Sequence, residues 1–246
     1  MRIKVLLCGF VAAALLAGAA SPSTLSWPMG LVTAILQLIF AFTWPRMVRS
    51  DAPWPISIII AICSLAATSA TLFMPGSSVM SHGVEVIAVG VLLVFISQVL
   101  RGAEAEGRLA GVVSGVTGMV LGVLGSAWSA SAEVSYGFGI AVVTVSALLG
   151  AGAIVVTRLP NRITMILAPL VAVALGAAAS ALPVDILWYQ GAAMGLIAGL
   201  LVGSLRALAL ASRSVRNLSG ILGLSSGIIL LSGASSWYVM EVLAFI

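Results

Sequence analysis

Few side chains in this sequence are suited to acid–base or metal chemistry, and the first pair to consider is His82 and Glu85. They lie three positions apart, so a helix would place them on the same face. Such a pair could relay a proton or bind a metal ion. No further ligand follows at metal spacing, which favours an ordinary solvated pair. His82 and Glu85 are therefore weak candidates for a site on the outer face, and the sequence predicts no metal or cofactor.

A second group of charges lies in the segment RGAEAEGR, where Glu104 and Glu106 are flanked by Arg101 and Arg108. Residues at i and i+2 point to different sides of a helix, so the two carboxylates are poorly placed to act as a general acid and base. A wet loop also gives them no reason to have shifted pKa values. We interpret this segment as the hinge between two membrane spans, and we predict no catalytic residue.

Arg206, Arg213 and Arg216 form the third group, with spacings of seven and three. If the segment RALALASRSVR is helical, the three guanidinium groups share one face. Such a face suits the inner membrane surface, where it can contact lipid phosphates. The spacing leaves open whether these arginines only anchor the chain or bind a phosphorylated substrate. Anchoring is favoured because Arg residues recur in every segment predicted to be cytoplasmic.

The elements that position these residues follow from the composition. Hydrophobic residues make up 61% of the 246 positions and charged residues only 7%, which excludes an ordinary water-soluble domain. The apolar runs are continuous and do not alternate with polar residues, so they predict helices and not barrel strands. The net charge of +4 comes without an aromatic-studded basic patch, and we predict no nucleic-acid partner.

The sequence predicts an all-α transmembrane helix bundle of about nine spans in a single membrane domain, 1–246. The first span also resembles a secretory signal, and its cleavage would leave eight. The predicted spans are 3–20, 29–44, 56–74, 84–100, 109–130, 137–157, 163–182, 186–205 and 218–238. Similar stretches ending the fifth and ninth spans suggest a parallel repeat of 29–130 and 137–238.

The positions of the cations predict the orientation of these spans. With a cytoplasmic N-terminus, all eleven Lys and Arg residues fall in cytoplasmic segments, whereas the outer segments carry His82 and acidic residues and contain no Lys or Arg. An odd number of spans then places the C-terminus outside. We expect a multi-pass protein of the plasma (inner) membrane.

Two sets of glycines recur at helical spacing and predict faces for close helix packing. Packing inside the bundle is favoured, and an interface with a second copy or a partner protein is the alternative. The two sets are Gly111, Gly115, Gly118, Gly122 and Gly125, and Gly191, Gly195, Gly199 and Gly203.

Deep inside the predicted spans the polar groups are uncharged. Ion-coupled pumps usually keep a charged residue at depth, so this composition counts against a proton-coupled transporter but leaves a passive carrier or channel open. The polar groups are Gln37, Gln98, Thr144, Ser146, Ser225 and Ser226.

The last quarter of the chain, SRSVRNLSGILGLSSGIILLSG, resembles a degenerate form of the signature of the phosphatidate cytidylyltransferase (CDP-diacylglycerol synthase) family. That signature has a Lys-Asp pair, a Gly-His-Gly-Gly-like turn and an Asp-Arg-x-x-Asp run. The resemblance implies a related fold, and in the family acidic residues bind the divalent metal used with CTP and phosphatidic acid.

The catalytic residues of that signature are not retained here. Arg216 matches the basic residue, but Asn217 replaces the first Asp, and Leu230 stands in the Asp-Arg region. Ser225 and Ser226 stand in the His-Gly-Gly portion. Without these carboxylates the chain has no groups to hold Mg²⁺ against a triphosphate, so the resemblance implies a shared fold without the chemistry.

These observations lead to three hypotheses of different classes. We favour a non-catalytic accessory or scaffold subunit of a membrane or envelope-lipid complex, surrounded by membrane lipids and bound to a membrane-protein partner or a second copy. The second hypothesis is a transporter or lipid carrier with a polar cavity near the midplane. The third is a divergent cytidylyltransferase-like lipid enzyme.

Overall fold

A computed structural model describes residues 2–20, 27–74, 81–102, 107–157, 159–211 and 217–244, and within these ranges the regular structure is entirely helical. The helices are α1 (Arg2–Ala19), α2 (Trp27–Met47), α3 (Pro53–Phe73), α4 (Ser81–Val99), α5 (Arg108–Leu124), α6 (Ala127–Ser131), α7 (Gly137–Val156), α8 (Asn161–Ala179), α9 (Trp188–Ala211) and α10 (Leu218–Ala244).

Seven of the described helices, with α5 and α6 taken as one, are long and apolar enough to cross a membrane. The chain is therefore a multi-pass helical membrane protein. Each predicted span overlaps a helix, and the fifth overlaps the pair α5 and α6. The count of nine spans and the sides of the two termini stay predictions.

Proline and glycine mark several helix boundaries. α3 begins at Pro53, where the missing N–H costs nothing because the first turn of a helix has no internal acceptor for it. Before α5, Gly107 has a φ of 70°, a left-handed conformation that glycine adopts without steric cost. The carboxylate of Asp51 lies directly against Gly107, so the α2–α3 and α4–α5 connections touch.

The bundle has two adjoining halves. α2 packs on α3 and α10, and α5 packs on α3 and α4, around a core that contains Phe40, Ile60 and Leu230. In the other half, α7, α8 and α9 pack on one another, and Met194 and Trp237 belong to its core. α10 contacts both halves and so connects them.

A local break in the α-helical hydrogen bonding, at Gly125 and Ser126, separates α5 from α6 within the fifth predicted span, although both residues keep right-handed helical dihedrals. α5 ends at Leu124, and the Gly125 N–H donates to the carbonyls of both Leu121 and Gly122, which tightens the last turn. After the break, Trp128 is fully buried and its Nε1–H donates to the Ile229 carbonyl of α10 at 2.7 Å. This bond joins the short helix α6 to the middle of the bundle.

Candidate functional site

A buried amide next to the α5–α6 break joins three helices. Gln37 of α2 is fully buried, and its Nε2 donates to the Gly122 carbonyl of α5 at 3.0 Å. Its Oε1 accepts a hydrogen bond from the Thr68 hydroxyl of α3 at 2.8 Å. Because water is absent from a hydrocarbon layer, a buried amide must find both kinds of partner within the protein, and Gln37 has them.

Two further buried hydroxyls lie one helical turn from the bonded side chains. Ser64, one turn before Thr68 on α3, is fully buried and contacts Gly122, where a Cβ would collide with its hydroxyl. Thr33, one turn before Gln37 on α2, is also fully buried. Among the described residues, neither Thr33 Oγ1 nor Ser64 Oγ has a hydrogen-bond partner. We refer to Thr33, Gln37, Ser64, Thr68 and the Gly122 carbonyl as the Gln37 cluster.

A second polar contact lies in the other half of the bundle. Thr144 of α7 and Ser236 of α10 are buried, and the Thr144 hydroxyl donates to Ser236 Oγ at 2.7 Å. The Met194 sulfur of α9 lies 3.9 Å from the same hydroxyl. This contact is neutral and joins two helices.

The other polar groups predicted at depth have different surroundings. Gln98 is buried, and its Oε1 accepts a hydrogen bond from Arg101 at 2.9 Å. Ser225 and Ser226 are buried in α10, where their hydroxyls donate to carbonyls of their own helix at 2.9 Å and 2.6 Å. Ser146 is only partly buried. The structure thus joins Gln37 to polar groups of other helices, whereas Gln98 forms hydrogen bonds with its sequence neighbours Ser97 and Arg101.

The glycines of α9 lie against the main chain of α8. A Cβ at Gly191 would be 2.5 Å from the Gly176 carbonyl oxygen, and Cβ atoms at Gly195 and Gly199 would collide with the backbone of Ala172 and Pro169. Gly203, by contrast, has no atom within 4 Å of its Cβ position. The two helices approach so closely because Gly191, Gly195 and Gly199 have no side chain at the contact.

The glycines of α5 meet side chains from several helices. A Cβ at Gly111 would be 2.6 Å from the Gln98 amide oxygen, and one at Gly115 would be 2.9 Å from Val94 of α4. Gly118 lies under the Trp44 ring, whose Nε1 donates to the Ser114 carbonyl of α5 at 2.9 Å. Gly122 meets Ser64 as described, and Gly125 contacts Leu230 of α10.

The arginines predicted to contact lipid phosphate are only partly described. Arg206 is buried, with 8% of its surface exposed, and its Nη2 donates to the Leu159 carbonyl in the α7–α8 connection at 3.2 Å. Arg213 and Arg216 lie outside the described residues, as do Glu104 and Glu106. The guanidinium of Arg206 therefore contacts the protein main chain.

His82 and Glu85 do come together on the first turns of α4, with His82 Nδ1 3.3 Å from Glu85 Oε2. The Glu85 side chain is 75% exposed, so water competes for the pair. Within the described ranges, no group of three or more His, Cys, Asp or Glu side chains is arranged to hold a metal ion.

One titratable group at a helix end has a shifted pKa. Burial, and secondarily the Glu241 carboxylate of α10, raise the pKa of the Tyr136 phenol at the start of α7. Both effects oppose the charged form of the phenol. The Tyr136 hydroxyl therefore keeps its proton at neutral pH and is not suited to act as a base at that pH.

The residues that carry the cytidylyltransferase resemblance lie at the start and in the middle of α10. Asn217 is exposed just before the helix, whereas Ser225 and Ser226 lie inside its continuous span, Leu218–Ala244. Gly227 packs against the Phe40 ring of α2. These positions are therefore distributed between an exposed helix start and a buried helix interior.

No protein-family model matches this chain, and neither a curated protein nor a solved structure matches it.

The sequence reasoning missed most of the Gln37 cluster. Thr33, Ser64 and Thr68 were not singled out, although Ser57, Ser64, Thr68 and Thr71 recur on α3 at spacings of seven, four and three. That spacing places all four on one helix face, and each is buried. The helical period of small hydroxyl residues within an apolar run was the available signal.

Proposed function

We propose that this chain is a non-catalytic accessory or scaffold subunit of a membrane complex, set in the inner membrane with its N-terminus in the cytoplasm. The observation that carries the proposal is the chemistry of the interior. Among the side chains whose burial the structure describes, Arg206 is the one charged group that is buried, and it contacts a main-chain carbonyl. The Gln37 amide and the Thr144 hydroxyl join helices through neutral bonds. Such an interior supports a structural role better than acid–base or metal chemistry.

The surface of α4 is the best place in the described structure for lipid or a partner helix to pack. α4 contacts mainly α3 and α5, and its other side exposes apolar side chains. The side chains with half or more of their surface exposed include Val84, Val89, Leu92, Phe95, Ile96 and Val99. In a bilayer this face meets lipid tails unless a partner covers it.

Crosslinking in intact membranes tests the scaffold proposal. A photoreactive residue at Leu92, on the exposed face of α4, should crosslink the full-length chain to one protein at reproducible stoichiometry, and the same complex should purify in mild detergent. A matched probe at Ile166, which is equally apolar and 66% exposed on α8, controls for random collisions in the membrane. A chain that stays monomeric and crosslinks only to lipid would refute the proposal.

A carrier is the second candidate, and the buried polar groups of the Gln37 cluster favour it. Polar groups near the middle of a membrane bundle can line a substrate site. Here Thr33 and Ser64 are fully buried and, among the described residues, have no hydrogen-bond partner. Reconstituted vesicles should then show solute flux that Gly122→Ala reduces and Gly203→Ala does not, since only the first substitution places a methyl group against Ser64. Background flux across a wide solute panel would remove this candidate.

The cytidylyltransferase-like hypothesis is retained as the third proposal. A CTP-dependent lipid assay with Mg²⁺ compares the native chain with Asn217→Asp, which restores one carboxylate of the family signature at an exposed position. If the native chain forms no lipid nucleotide, the proposal of a lipid enzyme is wrong.

A further inference from the structure

We propose that the Gln37 cluster is a binding site for a small neutral molecule that both donates and accepts hydrogen bonds, namely water or a low-molecular-weight alcohol. This inference goes beyond the scaffold proposal, because a scaffold needs no ligand.

The position of the hydroxyls is the first step. Gly30 packs on Leu72, and Gln37 bonds to Thr68, so α2 faces α3 on both sides of Thr33. Thr33 is three residues after Gly30 and four before Gln37, which places it on that same face. Thr33 therefore lies on the face of α2 that packs against α3, between the contacts to Leu72 and Thr68.

Ser64 approaches the cluster from the opposite side of Thr68. It is one turn from Thr68 on α3, and its hydroxyl contacts Gly122, whose carbonyl accepts the Gln37 amide. Thr33 and Ser64 are both fully buried and, within the described part of the chain, without a partner. Leaving such a group unsatisfied is costly in a medium without water, so a bound polar molecule is the expected partner.

The chemistry of the ligand follows from a comparison with three buried hydroxyls that do have a partner. The Thr71, Ser225 and Ser232 hydroxyls each donate to a carbonyl of their own helix at 2.8 to 2.9 Å, leaving only lone pairs available. Thr33 and Ser64 make no such bond, so each offers a hydrogen as well as lone pairs. A ligand that satisfies both must accept and donate.

A metal cation is a poor match for this site. A cation would use the lone pairs but leave the hydroxyl hydrogens unpaired, and its charge would need a counterion in the apolar interior. The described residues place no buried Asp or Glu there. Contact between Ser64 and Gly122 also keeps α3 and α5 close, which restricts the ligand to a few heavy atoms.

An experimental map of the full-length protein in lipid nanodiscs, at a resolution that shows ordered water, tests this site directly. We expect non-protein density within hydrogen-bond distance of Thr33 or Ser64, of water size in plain buffer. Soaking with glycerol distinguishes the two sources, because an alcohol ligand would enlarge that density. Hydroxyls turned back to their own helix carbonyls, with no density beside them, would overturn the proposal.

Thermal unfolding of variants provides an independent readout. Thr33→Val is isosteric and Ser64→Ala is small, so loss of the ligand contact should lower the melting temperature by a few degrees. The control Ser232→Ala removes an equally buried hydroxyl that bonds to its own helix, and it should change the melting temperature less. If Thr33→Val and Ser64→Ala raise the melting temperature, the hydroxyls were truly unsatisfied and the site binds nothing. Stabilisation by Na⁺ that disappears in Thr33→Val would identify a cation and refute a neutral ligand.

Discussion

Replacing Gln37 by leucine should destabilise the bundle through the loss of two identifiable hydrogen bonds. Leucine has nearly the volume of glutamine, so the substitution keeps the packing between α2, α3 and α5 while it removes the amide. The Gly122 carbonyl loses its bond at 3.0 Å, and the Thr68 hydroxyl loses its acceptor at 2.8 Å. Both groups remain buried.

The magnitude follows from these two bonds. Hydrogen bonds between membrane helices contribute about 0.6 kcal/mol on average and up to about 1.7 kcal/mol. Two such bonds give a loss of about 1 to 3 kcal/mol in the free energy of unfolding for Gln37→Leu. Thr68→Val removes only one of them and should cost about 0.6 to 1.7 kcal/mol. The Gly122 carbonyl keeps its contact with the Gly125 N–H, which favours the lower part of the range for Gln37→Leu.

Reversible unfolding in mixed micelles, followed by tryptophan fluorescence, measures these free energies. The double variant Gln37→Leu/Thr68→Val completes a thermodynamic cycle, and the coupling between the two positions should be at least about 0.5 kcal/mol. Thr144→Val is the matched control, since its bond to Ser236 lies in the other half of the bundle. Thr144→Val should be additive with Gln37→Leu.

Two results would refute this reasoning. Additive effects of Gln37→Leu and Thr68→Val would mean that the two side chains do not interact in the membrane. If the Gln37→Leu protein is at least as stable as the native chain, the buried amide does not stabilise the bundle.

Three further predictions test other parts of the bundle. Gly195→Ala should lower the free energy of unfolding by more than about 1 kcal/mol because the new methyl group meets the α8 backbone, whereas Gly203→Ala should change this free energy by less than about 0.5 kcal/mol. Equal effects of the two substitutions would contradict the contact between α8 and α9. Trp128→Phe should lower the free energy of unfolding by about 0.5 to 1.5 kcal/mol through loss of the hydrogen bond to the Ile229 carbonyl. Hydrogen exchange of the Trp128 indole N–H in the native protein should be slow, and rapid exchange would contradict its burial. Because the pKa of Tyr136 is raised in the folded state, its contribution to stability is complete below the unfolded pKa of about 10 and is lost as the pH rises through the folded pKa. Tyr136→Phe should therefore flatten the fall in melting temperature between about pH 9 and 11, and identical pH profiles of the two proteins would contradict the shift.

Helix positions were predictable because hydrocarbon imposes a simple rule on the sequence. A membrane span must satisfy its own backbone and expose apolar side chains, so the length of each apolar run already predicts a helix. The apolar runs that correspond to α2, α3 and α7 predicted these helices without any further information. The break after Leu124 was not predicted, because the residues on both sides are as apolar and small as those within α5.

The pairing of polar groups could not be predicted, because it depends on which helices become neighbours. Gln37 is separated from Thr68 by 31 positions and from Gly122 by 85, and the sequence contains no signal that joins them. Arg206 likewise bonds to a group that is distant in the sequence, the Leu159 carbonyl 47 positions away, and its predicted contact with lipid phosphate stays a prediction. These contacts exist only once the bundle has assembled.

The sequence by itself determined that the chain forms apolar helices in a membrane, because transfer into hydrocarbon depends on each segment's own composition. Tertiary structure decided which glycines meet a backbone and which do not, as Gly195 and Gly203 illustrate on a single helix. It also brought Thr68 of α3 and the Gly122 carbonyl of α5 to the same buried amide of Gln37. The physical reason is that van der Waals contacts and hydrogen bonds between helices act over a few ångströms, so their partners are fixed by packing.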